Sequence, residues 1–183
     1  MHVNELTDTG KSYLIDMISI YLFNMMKQYE QLNSVLQAAF TEVTVFSIQG
    51  QTLHQLIRLP IHKLFKSLFN SVLLSLQQLF QQCHYLIIDE KFMIDLLKLY
   101  QIDVRLKQIF SNHSDKLFRG MNVLLCDDFY QLSSVSAFSL YNTQSALKIE
   151  LTAAKELYQR FDETVQLTQI MHQQSETNSF IQF

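Results

Sequence analysis

Glycine and proline are almost missing from this chain, which has 3 glycines and 1 proline in 183 residues. Tight turns and phosphate-cradling loops use glycine for positive φ and for close backbone approach, so a fully glycine-rich phosphate loop is excluded. Charge is sparse as well. Only 17% of residues are charged and the net charge is −3, so no global positive field advertises nucleic-acid binding, and any such contact must rest on local groups. The 2 cysteines, Cys83 and Cys126, sit in apolar segments without metal-ligand partners at short spacing. That excludes a disulfide framework and points to two reduced core thiols in an intracellular, reducing compartment. The longest apolar stretch, Tyr13 to Met26, is interrupted by Asp16 and Asn24 and is short for a membrane span. No secretory signal is expected ahead of it, and no membrane partner.

What is present is apolar residue, 48% of the chain, enough for one well-buried domain and too little length to require two. The most informative stretch is Tyr85-Leu86-Ile87-Ile88-Asp89-Glu90. An apolar run ending in adjacent carboxylates reads as a buried parallel strand that delivers acids at its carboxyl end, where open α/β sheets carry their sites. It has the look of a Walker B strand, in which the Asp holds Mg²⁺ and the neighbouring Glu polarises the attacking water. Taken alone, it is equally compatible with a core strand that ends in a surface acidic pair.

Thr9-Gly10-Lys11-Ser12 precedes Tyr13, Leu14, Ile15, Met17, Ile18, Tyr21 and Leu22, a pattern that predicts a helix from about Lys11 to Tyr29. Gly-Lys-Ser at a helix start is the second half of a Walker A loop, with backbone N–H groups and the positive dipole end facing phosphate. Glu5 stands where the full pattern has its first glycine, and with Asp8 it brings negative charge towards that site.

Further along, Val35 to Ala39 reads as a strand, Thr41 to Ile48 as a short helix and Gln49-Gly50 as a turn. Thr52 reads as the N-cap of a helix with Leu53, Leu56 and Ile57, ended by Leu59-Pro60. His54 in that helix has no second metal ligand nearby. Helices are predicted over Ser67 to Gln82 and Ile94 to Phe110, a polar loop over 111–120, and a strand from Met121 to Cys126. That strand also ends in acids, Asp127-Asp128, followed by Phe129-Tyr130-Gln131. A Gln one strand away from the Asp89-Glu90 pair is placed to sense a γ-phosphate or orient water. Thr152 to Phe161 reads as a helix and Thr164 to Leu167 as a last strand. The alternation predicts an α/β fold, a mainly parallel sheet with helices on both faces.

These stations stand in one order. They are Thr9 to Ile15; Ala38-Ala39-Phe40-Thr41 with Gly50 to His54 and Arg58-Leu59-Pro60; Leu86 to Glu90 with Met93-Ile94; Asp128 to Leu132 with Val135; and Leu167-Thr168 with Met171 to Gln174. In that order and spacing, over nearly the whole chain, they resemble the first motor domain of the petite-integration-frequency (PIF-type) DNA helicases of superfamily one. The resemblance implies a three-layer P-loop NTPase fold of the RecA-like kind, spanning residues 1–183 as motor domain 1A without the second motor domain. It also implies a monomer that hydrolyses ATP with Mg²⁺ to move 5′ to 3′ on single-stranded DNA and unwind duplexes. The implied setting is repair, recombination and telomere maintenance, in the nucleus or mitochondrion.

Residue by residue, Lys11 and Ser12 match the phosphate and Mg²⁺ ligands of Walker A, with Thr9 and Gly10 in the same nucleotide loop. Asp89 and Glu90 match the Walker B pair, and Gln131 matches the glutamine that couples γ-phosphate to DNA. Thr41, Thr52 and His54 match positions of motifs Ia and Ib that face the DNA backbone.

The departures are specific too. Glu5 and Asp8 replace glycines; Phe40 and Glu42 replace a proline and a glycine; Asp127 replaces a glycine; Ser133-Ser134 replace a proline pair; and His172 stands where motif IV has an arginine. A mostly neutral histidine does not fork onto phosphate as arginine does, so weak nucleotide binding and negligible turnover are expected. Beside the helicase reading, as a fragment or degenerate copy, stand three others: a non-catalytic interaction module, a transposon relic of the Helitron type, and an orphan P-loop kinase-like enzyme.

Overall fold

The structure is a computed structural model that describes residues 1–5, 11–31, 34–60, 65–110, 116–128, 149–161 and 163–167. Among the described residues six strands form one sheet: β1 (His2–Glu5), β2 (Val35–Ala39), β3 (Gln51–Thr52), β4 (Tyr85–Ile88), β5 (Asn122–Asp128) and β6 (Thr164–Leu167). Their order across the sheet is β3-β2-β4-β5-β1-β6, and every pairing is parallel. The helices are α1 (Lys11–Lys27), α2 (Glu42–Ser47), α3 (Leu53–Leu56), α4 (Asn70–Phe80), α5 (Leu96–Ile109) and α6 (Ile149–Gln159).

Strict alternation in the central strands divides the core into two layers. Leu86 and Ile88 of β4, with Val123 and Leu125 of β5, face a core closed by Leu53 and Leu56 of α3, Leu76 and Phe80 of α4, Leu99, Ile102 and Leu106 of α5, and Leu151 and Ala154 of α6. Ile87, Leu124 and Cys126 face the other way, onto Ile15 of α1 and Ile48 just past α2. Both faces are covered, which is why β4 reads as an unbroken apolar run instead of alternating with polar residues. Each fully buried Leu or Ile contributes about 1.5–3 kcal/mol of transfer free energy, so the two layers together are the main stabilising term. The result is the three-layer α/β architecture that the alternation of elements implied.

Local chemistry sets the boundaries. Thr41 is extended at φ −103° and ψ 150°, and its hydroxyl accepts from Thr44 N–H to cap α2; Thr52 caps α3 through Gln55 N–H in the same way. Two helices start later than their apolar spacing suggested. The chain is extended at Phe69, whose ψ is 148°, so α4 begins at Asn70 instead of near Ser67. In front of α5 a 3₁₀ turn at Lys91–Met93 uses up the chain through Ile94, and Asp95 caps the helix by accepting from Lys98 N–H at 2.7 Å. The loop over 111–120 holds a tight turn at Leu117–Gly120 in which Phe118 and Arg119 take the left-handed region; residues 111–115 lie outside the described ones.

Cys83 and Cys126 are both buried and unpaired with each other. Burial pushes the Cys83 thiol up to about 12, partly offset by its contacts with the Tyr85 and Leu36 backbone, so it behaves as a core thiol and not as a nucleophile. No helix among the described residues is long and apolar enough to cross a membrane.

Of the three glycines, Gly50 is fixed by space. A Cβ there would lie 2.5 Å from the backbone oxygen of Gln37 on β2, where a neighbouring strand cannot give way. Gly50→Ala is expected to cost about 1–3 kcal/mol of stability, read as a lower urea midpoint at unchanged slope. An unchanged midpoint would show that the turn into β3 is not held against β2.

Candidate nucleotide and nucleic-acid site

Because all strands are parallel, their carboxyl ends lie along one edge of the sheet, the edge at which doubly wound α/β proteins hold ligands. Register places the key positions along it. Glu5 at the end of β1 is level with Asp128 at the end of β5, and Leu125 of β5 is level with Ile88, the residue before Asp89. α1 begins at Lys11 just after β1, so Lys11 and Ser12 form the N-terminal turn of a 17-residue helix at that same edge, with Ser12 exposed. β5 stands between β1 and β4, so its tip separates the helix start from the acidic pair by a single strand. Thr9, Gly10, Gln131 and His172 lie outside the described residues, as do Asp8 and Ser133-Ser134.

Asp89 is buried to 1% exposure; its N–H donates to Ala38 on β2 at 2.8 Å, and its Oδ1 accepts the N–H of Glu90 at 2.8 Å. The chain then turns sharply. Glu90 takes a left-handed conformation, φ 59° and ψ 47°, which costs a residue with a Cβ about 1–2 kcal/mol.

Four donors from residues 40–44, running from the end of β2 into α2, hold it there. Oε2 accepts from the N–H groups of Phe40 at 3.1 Å and Thr41 at 2.9 Å, and Oε1 accepts from the hydroxyls of Thr41 at 2.9 Å and Thr44 at 2.7 Å. The two hydroxyls are themselves 3.0 Å apart. Each has one proton, and the carboxylate is the stronger acceptor, so both protons point at Glu90. A carboxylate offers about four lone-pair positions, and here all are taken. In this geometry Glu90 ties the acidic tip of β4 to the tip of β2 and does not offer an oxygen to water.

The remaining candidates sit next along the edge. Thr52 is buried and its oxygen caps α3. His54 lies 3.2 Å from the Leu59 carbonyl through Nδ1; because a carbonyl only accepts, Nδ1 carries the proton in that contact. Its ring meets Phe40 edge-on, with centroids 5.8 Å apart and planes at 87°, and Lys98 Nζ lies 6.0 Å from the Phe40 centroid. Burial lowers the Lys98 pKa, and Asp95 partly restores it. The structure therefore brings Thr41, His54, Asp89 and Glu90 to one strand-tip surface.

Thr44, Phe40 and Lys98 join that surface without having been singled out as site residues. Thr44 had a readable signal, since a hydroxyl three residues after an N-cap is where capping partners stand. Lys98 had none.

No group of three or more His, Cys, Asp or Glu side chains able to hold a metal occurs among the described residues. The oxygen donors of Asp89 and Ser12 are hard ligands. That suits Mg²⁺, which keeps much of its water and takes only one or two protein groups beside phosphate.

A family model described as PIF1-like helicase matches residues 1–182. No curated protein matches the chain by sequence. Among solved structures, the chain is similar to the Pif1 helicase of Candida albicans at TM-score 0.67 and 23% identity, over 98% of this chain and 38% of that one. It is similar to Bacteroides Pif1 bound to ssDNA at TM-score 0.62 and 21% identity, over 93% of this chain and 38% of that one. The Bacteroides enzyme in complex with ADP-AlF3 and ssDNA gives TM-score 0.63 and 22% identity, with 93% and 38% covered. The chain thus spans well under half the length of the structures it resembles, and the likeness fixes the fold as RecA-like.

Removing the Glu90 side chain leaves the N–H groups of Phe40 and Thr41 without their partner. Glu90→Ala should cost about 1–3 kcal/mol in urea unfolding. An unchanged midpoint would show that the strand tips are not joined through this carboxylate.

Proposed function

We propose, from the premise that this chain belongs to the PIF1-like helicase family, that it forms the first motor domain of an ATP-dependent DNA helicase moving 5′ to 3′ on single-stranded DNA. The observation that carries the reading is the common edge: the start of α1 at Lys11, the tip of β5 and the Asp89-Glu90 tip of β4 lie side by side on a parallel sheet. A triphosphate lying along that edge meets each of them. The positive end of α1 and Lys11 bind the β- and γ-phosphates, and Ser12 with Asp89 would hold Mg²⁺. The ion, when bound, neutralises charge building up on the phosphate oxygens. Glu90, once released from the donors of residues 40–44, takes a proton from water, and Gln131, three residues beyond β5, reports the γ-phosphate to the DNA side.

Thr41 and His54 face the strand of single-stranded DNA in this reading; Thr52, expected there from the motif, is buried with its hydroxyl engaged in capping α3, so it positions the helix that carries His54. The Bacteroides structures hold ssDNA and, in one of them, ADP-AlF3 as well, which supports a nucleotide and a DNA strand as the ligands here. The proposed setting is repair, recombination and telomere maintenance in the nucleus or mitochondrion, with a monomeric motor. A second reading, a non-catalytic interaction module, rests on the full engagement of Glu90 by residues 40–44.

Two measurements separate these readings. A fluorescent ATP analogue with Mg²⁺ should bind the wild type and lose about tenfold in affinity, roughly 1.4 kcal/mol, in Lys11→Ala. The low phosphate release left by the degenerate motifs should still rise with single-stranded DNA, and that rise should vanish in Glu90→Gln. Equal binding by wild type and Lys11→Ala, with no stimulated release, would leave the interaction module standing.

A further inference from the structure

The acid that a water molecule needs as its proton acceptor is also the link between two strand tips, and it cannot serve both roles in one geometry. Both oxygens of Glu90 are occupied by the backbone of Phe40 and Thr41 and by the hydroxyls of Thr41 and Thr44. The residue is 8% exposed, and its backbone sits in the left-handed region, a conformation that lasts only while surrounding contacts fix it. The same turn carries Asp89, whose Oδ1 holds the Glu90 N–H. Moving Glu90 therefore disturbs the neighbouring acid and the tip of β2 together.

We infer that Thr44 and Thr41 are positioning residues that latch Glu90 away from water, so that hydrolysis waits on displacement of the β2 tip from the β4 tip. The inference rests on the motor reading above and names, within it, what makes turnover depend on a strand bound against Thr41. In the step so gated, the water oxygen bonds to the γ-phosphorus as the bond from that phosphorus to the β–γ bridging oxygen breaks. The electron pair leaves with ADP, and the water proton passes to the released Glu90. The coupling is reciprocal: a strand that draws Thr41 away from Glu90 favours the water-facing acid, and a water-facing acid frees Thr41.

Thr44 is the handle for a test, because valine keeps its shape and removes only the hydroxyl, while serine restores the hydroxyl. In the full chain, Thr44→Val is expected to raise phosphate release without DNA by about threefold to tenfold, the range of one ordinary hydrogen bond, since three other donors still hold Glu90. The rate saturated with single-stranded oligothymidylate should stay within about twofold, and Thr44→Ser should behave as wild type. Without nucleotide, amide hydrogen exchange should quicken at Phe40 and Thr41 in the valine variant, because their acceptor is loosened. A purely structural threonine would lower both rates together and leave their ratio alone. If wild type is stimulated by DNA and Thr44→Val keeps the wild-type ratio, the latch is wrong and the motor reading survives. If wild type shows no stimulated release at all, both fall.

Discussion

Parallel pairing of β1, β5 and β4 is the constraint on which the rest of the molecule depends. Antiparallel order would send alternate strand ends to opposite edges; here the helix start at Lys11, the Asp128 end of β5 and the Asp89-Glu90 turn must come out together. That pairing is stable only because helices cover both faces: α1 and α2 on one side, α3 to α6 on the other. The edge is thus a by-product of burying Leu86, Ile87 and Ile88 in opposite directions, and it follows from packing before any ligand is considered.

On that edge the acidic turn is the strained element. A left-handed Glu90 is held by four donors from residues 40–44, and its N–H is held by Asp89. Strain of this kind persists where surrounding contacts over-determine it, and it gathers at sites that must change state. The same spot is where the motif resemblance sets Phe40 and Glu42 in place of an expected proline and glycine. Phe40 now contacts His54 and lies near Lys98, so the aromatic ring joins α5 to the helix that carries His54.

Much of the fold is legible in the sequence. The spans Val35 to Ala39, Tyr85 to Ile88 and Thr164 to Leu167 are visible from apolar runs, and Thr41 and Thr52 as caps from their hydroxyls ahead of apolar helices. What is not legible depends on partners far along the chain. β3 is two residues long and exists through its register with Ala38 and Ala39, a contact with no local periodicity. The late start of α4 reflects an extended chain at Phe69 that apolar spacing does not record. At the site, the type and order of Lys11, Asp89 and Glu90 are readable from motif spacing. That Glu90 points at Thr44 is not, because it depends on a backbone turn at Glu90 that ordinary propensity disfavours.

The likeness to Pif1 helicases covers most of this chain but well under half of theirs. The proposed function requires one triphosphate to bridge α1 and β4 across β5. The most direct measurement is a crystal structure of the chain soaked with Mg²⁺ and a non-hydrolysable ATP analogue. The account predicts phosphate density at the N-terminus of α1 beside Lys11, with the cation between Ser12 and Asp89. Nucleotide seated elsewhere, or an empty edge at saturating analogue, would contradict it.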